Sequence, residues 1–112
     1  MNELEGLMIY KQYLEMIYYT ENITLKYPKS EKGAMVDEIK KNTYNGMRKI
    51  ILANKEFNKN KRIIILNEID VELKMLKVMI RVSYRKKYSA WSKKIYNIGN
   101  LLGGWIKSCL KV

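Results

Sequence analysis

Apolar side chains recur at three- and four-residue steps over long stretches of this chain, the spacing of one face of an α-helix. The longest stretch, Ile63 to Arg85, contains no Gly or Pro. Leu66, Ile69, Leu73, Leu76 and Ile80 form one line along it. Val71, Met75, Val78 and Val82 form a second apolar line beside the first. Lys74, Lys77, Arg81 and Arg85 step by 3, 4 and 4, so they share a third face. A helix apolar on two sides has more than one neighbour to satisfy. Its row of cations is a candidate surface for an anionic partner.

The same pattern predicts three more helices. The first runs from Asn2, a capping residue, to Thr24, with Leu7, Tyr10, Leu14 and Ile17 as its inward stripe. Tyr13 and Met16 widen that stripe, and Tyr18 and Tyr19 add aromatic packing. Pro28 pushes Tyr27 out of helical geometry, and Ser30 is then the expected cap of a second helix over Glu31 to Phe57. Val36, Ile39, Met47, Ile50 and Phe57 lie on its inner face, with Thr43, Gly46 and Ala53 as small spacers. A glycine at position 33 makes an irregular first turn plausible there. The polar run Asn58 to Lys61 separates this helix from the third. Ser89 is the expected cap of the fourth, Ala90 to Leu110, whose stripe is Trp91, Ile95, Ile98, Leu102, Trp105 and Cys109. Cys109 is expected buried and inert on that line. Gly99, Gly103 and Gly104 are costly inside a helix, so close approach of another backbone, or a kink or early end at Gly103, is expected. Short connections between long helices predict an all-α, antiparallel up-down-up-down four-helix bundle, one domain over residues 1–112.

Composition narrows the function. At 112 residues and 47% hydrophobic, the chain is long enough for one core and too apolar for disorder. It has no histidine and one cysteine. That removes the commonest general base, a Cys/His zinc site and an internal disulfide, and makes the cytoplasm the default setting. No apolar run reaches the ~18–20 residues of a membrane span, and the acidic N-terminus lacks a signal-peptide core. Neither metal nor cofactor spacing is present. The net charge of +11 is unevenly spread: residues 57–112 hold 13 Lys/Arg against 3 Asp/Glu, residues 1–56 hold 9 against 8. Such an excess favours nucleic acid or an anionic surface. Lys86, Lys87, Lys93 and Lys94 thicken the patch near the end of the third helix, and Tyr84 and Tyr88 interleave with them as stacking candidates. Asp70 and Glu72 point away from each other on a helix, so interhelical salt bridges suit them better than paired catalysis, and Glu38 is expected to pair with Lys40 or Lys41.

Three stretches go beyond periodicity. Lys26-Tyr27-Pro28-Lys29-Ser30-Glu31-Lys32 with Asp37-Glu38-Ile39, the run Asp70 to Arg81, and Ile98-Gly99-Asn100-Leu101-Leu102-Gly103-Gly104-Trp105 resemble the accessory variability determinant (Avd) family of diversity-generating retroelements. The resemblance covers roughly residues 10 to 110, and the Gly-Gly-Trp ending is its most specific part. It implies a homopentameric barrel of four-helix bundles, without catalytic activity, that binds the retroelement's reverse transcriptase and its template RNA, and possibly DNA, to support mutagenic copying. The Pro-Lys-Ser-Glu entry is shared with a sister group encoded within ribosomal RNA genes, which supplies the alternative reading: an RNA-associated or structural bundle. The two apolar lines of the third helix independently call for a homo-oligomer. Lys74, Lys77, Arg81, Arg85, Lys86, Lys87, Lys93 and Lys94 are the expected nucleic-acid or polymerase contacts, and Gly99, Gly103, Gly104 and Trp105 the expected packing and oligomer positions.

Overall fold

The computed structural model describes residues 3–83 and 88–111. It contains four long helices and, among the described residues, no strand. They are α1 (Glu3–Thr24), α2 (Ala34–Lys55), α3 (Lys59–Val82) and α4 (Tyr88–Leu110), with a 3-10 turn at Lys29–Glu31. Each long helix packs on two others: α1 on α2, α2 on α3, α3 on α4, and α4 back on α1. Among the described residues, neither the α1–α3 nor the α2–α4 diagonal is a closely packed pair. One core fills the space between the four.

The third and fourth helices follow their apolar phase. Leu66, Ile69, Leu73, Leu76 and Ile80 are all buried, as are all six residues of the Trp91–Cys109 stripe. The second α3 line stays outside: Val71, Met75, Val78 and Val82 are exposed. In α2 the inner face is Val36, Ile39, Met47 and Ile50 with Thr43, Gly46 and Ala53, as expected.

Four expectations change. In α1 the inward line is Ile9, Tyr13, Met16 and Ile23 with Ile17, which is buried as expected, while Leu7 and Tyr10 face out and Leu14 is only half-buried. Phe57 is 92% exposed, because α2 ends at Lys55. The reason is Asn58, whose side chain accepts from the Lys61 amide at 3.0 Å and starts α3 four residues before Ile63. Ser30 sits inside the 3-10 turn rather than capping α2, and Gly33 holds the cap position without a side-chain bond. Ser89 likewise lies within α4, one residue past its start.

Two contacts lock the bundle. The Tyr13 hydroxyl donates to the Thr43 carbonyl at 2.6 Å, with its ring against α2 at Gly46. A Cβ at residue 46 would overlap that hydroxyl and ring. Burial, and then the charge of Glu72, push the Tyr13 phenol well above its ordinary range. At one end of the bundle, buried Arg62 donates to the carbonyls of Ala53 and Glu56 and lies 6.0 Å from the Trp105 ring centroid. A cation there satisfies the final carbonyls of α2 and suits the negative end of its dipole.

Candidate nucleic-acid interface

Helical spacing alone brings Lys74, Lys77 and Arg81 to one exposed face of α3. Lys74 is held by Asp70 one turn earlier, at 2.8 and 2.9 Å to the two carboxylate oxygens. Lys77 has no ion-pair partner among the described residues. The three cations do not stand on a flat wall. Lys74, Lys77, Val78 and Arg81 surround a shallow groove of about 280 Å³. On the α4 side, Lys74 and Lys77 also form the rim of a second groove of about 240 Å³. Its floor is Leu73 and Ile95, and Tyr96, Gly99 and Asn100 form its far side.

Not every expected residue joins this face. Lys94 turns toward α1, with its ammonium 5.3 Å from the Tyr19 ring centroid, a cation–π distance. Lys93 is exposed but lines neither groove. Tyr84, Arg85, Lys86 and Lys87 lie outside the described residues. Glu72 is an interhelical partner, as expected: it accepts from Asn42 and pairs with Lys49 at 2.7 Å. Asp70 stays within α3 and pairs with Lys74, as their four-residue spacing allows. Lys40 reaches Glu21 of α1 at 3.2 Å rather than Glu38, because α1 and α2 pack side by side. Glu21 also accepts from the Tyr44 hydroxyl at 2.7 Å. That hydrogen bond, and Lys40 after it, hold the Glu21 carboxyl below its usual range, and the same bond raises Tyr44.

The glycines behave unlike the expectation of close packing within the chain. α4 continues through all three to Leu110. A Cβ at Gly99 or Gly103 would meet nothing within 4 Å, and one at Gly104 would only reach Glu5 at 4.0 Å. Trp105 is buried. Sequence reasoning missed Tyr96 and Asn100. Their signal was present: they flank Gly99 on the side of α4 facing away from its apolar stripe.

Among the described residues no group of three His, Cys, Asp or Glu side chains could hold a metal ion. No helix there is long and apolar enough to cross a membrane. Neither the curated proteins nor the solved structures contain a match. A family model does match, described as bAvd-like and spanning residues 7–109. With four helices in the structure and that match over most of its length, the chain belongs to the bAvd-like family, as its Gly-Gly-Trp ending suggests.

Proposed function

We propose that this chain is the non-catalytic accessory protein of a diversity-generating retroelement. It binds the reverse transcriptase and the template RNA or its cDNA and supports mutagenic copying. The observation that carries the reading is the cationic row of Lys74, Lys77 and Arg81 beside two grooves, in a bAvd-like chain of net charge +11. Phosphate contacts of this kind position a strand without reading its bases. The family membership supports the polymerase as the second partner.

The unit of function in this reading is an up-down-up-down bundle assembled as a homopentamer. The pairings Thr20–Trp91 with Glu5–Ser108, and Asn42–Glu72 with Ala53–Arg62, support the alternating order. Leu7 and Tyr18 on α1, with Leu25 just past its end, and Val71, Met75, Val78 and Val82 on α3 support the assembly. These two exposed apolar lines lie on different helices, so joining one to the other in a neighbour makes a head-to-tail contact, the kind that builds a ring when its rotation closes.

Two measurements test the proposal. Single-stranded RNA binding should weaken with salt at a log–log slope of about −0.7 per phosphate contact. The triple variant Lys74→Ala, Lys77→Ala, Arg81→Ala should flatten that slope or lose polymerase pull-down while keeping helical circular dichroism. Wild-type values for both would remove this face from the mechanism. Light scattering of the wild type should give a multiple of 13.3 kDa, and Val71→Asp with Val78→Asp should reduce it to the monomer.

A further inference from the structure

The α3–α4 groove has features that phosphate binding does not call for. Its volume, about 240 Å³, falls just under the ~300–1,000 Å³ of pockets for drug-sized ligands. One planar heterocycle suits that scale. The floor is apolar, from Leu73 and Ile95. Tyr96 stands beside it with 64% of its surface exposed. Gly99 presents bare backbone where any other residue would project a side chain into open space. Asp70 places a carboxylate at the same rim and holds Lys74 at 2.8 Å. That carboxylate offsets the Lys74 charge at the rim and, through the lone pairs Lys74 leaves open, accepts from ring or exocyclic N–H groups, which nucleobases carry. Asn100 offers both a donor and an acceptor.

Resting on the proposed nucleic-acid function, we infer that this groove seats one unpaired nucleobase of a single strand. The base stacks on Tyr96 over the Gly99 backbone, its edge meets Asp70 and Asn100, and the flanking phosphates run along Lys77 and Lys74. Charge and geometry divide the labour: the groove takes the neutral base, and the outer rim takes the backbone. A duplex cannot place a base there without unpairing it, so single strands bind in preference to duplexes of equal length.

The test uses the full-length chain and two fluorescein-labelled single strands of equal length and charge, one an ordinary RNA and one abasic throughout. The wild type should bind the abasic strand roughly tenfold more weakly, the scale of one base–aromatic stack. Gly99→Leu, which fills the groove, and Tyr96→Ala should bind the ordinary strand as weakly as the abasic one, with abasic binding unchanged. Tyr96 is a surface residue, so its variant keeps the test decisive should Gly99→Leu fold poorly. Equal wild-type affinity for the two strands overturns the groove while leaving phosphate binding intact. A base preference that survives in Tyr96→Ala and in a folded Gly99→Leu also overturns it. Binding to neither strand overturns the nucleic-acid function itself, and this inference with it.

Discussion

Gly46 lies on α2 beneath the Tyr13 ring, and Gly99 lies on α4 beside an open groove. Both are glycines inside long helices at a helix–helix seam. At the α1–α2 seam the missing side chain is replaced by Tyr13, whose hydroxyl reaches the Thr43 carbonyl at 2.6 Å. Glu21, Lys40 and Tyr44 close the same seam further along. At the α3–α4 seam nothing replaces it, and the space stays lined by Tyr96, Asp70 and two lysines. A helical glycine therefore has two uses. One admits a neighbour of the same chain and serves folding, and the other leaves room for something from outside.

The strongest way to break this comparison is to give both seams the same methyl group. Gly46→Ala should destabilise by about 2 kcal/mol: overpacking costs ~1–3, the Tyr13 hydrogen bond contributes ~1, and helix propensity returns ~1. The ring cannot swing aside, because Tyr13 is only 1% exposed. Gly6 sharpens the point. A Cβ there would overlap the Asn54 amide, which bonds the Gly6 and Ile50 carbonyls, and would stand 3.0 Å from the buried Trp105 ring. The exposed amide can turn out to solvent where Tyr13 cannot, so Gly6→Ala should cost less than Gly46→Ala. Urea midpoints for the two variants decide it, and equal losses would show that Tyr13 is not the constraint.

Tyr13→Phe should cost about 1 kcal/mol for the lost hydrogen bond. Combined with Gly46→Ala it should cost less than the two single losses added, since the hydroxyl is the atom nearest the added Cβ. Additive losses in a double-mutant cycle would separate the two residues. At the open seam the sign reverses: Gly99→Ala and Gly103→Ala should each stabilise by ~0.5–1 kcal/mol, because the new methyl meets nothing and the helix gains propensity. A destabilised Gly99→Ala would mean that α4 is held closely by something there, in this chain or in a neighbouring copy.

The legibility of the sequence follows the same division. α4 has one apolar line and one solution, and all six of its stripe residues are buried. α1 is apolar around much of its circumference, so its hydrophobic pattern fits two phases. The fit of Tyr13 over Gly46 belongs to α1 and α2 together, and it puts Ile9 and Met16 inside and Leu7 and Tyr10 outside. Phe57 reads as a continuation of α2 only until Asn58 is recognised as the cap of α3. The cationic face was readable because α3 supplies all of it. The groove was not, because whether the space beside a glycine is filled depends on the helix opposite.

The smallest expected effect lies in the acid stability of the closed seam. The Tyr44 hydroxyl, and then Lys40, favour the Glu21 carboxylate in the folded chain, so its pKa is lowered there from the ordinary 4.5. A lowered folded-state pKa contributes stability that is fully present above 4.5 and is lost as pH falls through the folded value. Glu21 is about 39% exposed, and solvent screening holds the gain to a few tenths of a kcal/mol. Glu21→Gln should therefore flatten the decline of the urea midpoint below pH ~4.5 and slightly lower the midpoint at neutral pH. Tyr44→Phe should flatten it partly, because Lys40 remains 3.2 Å from the carboxylate. If Glu21→Gln leaves the acid limb as steep as in the wild type, Glu21 is not a source of the closed seam's acid sensitivity.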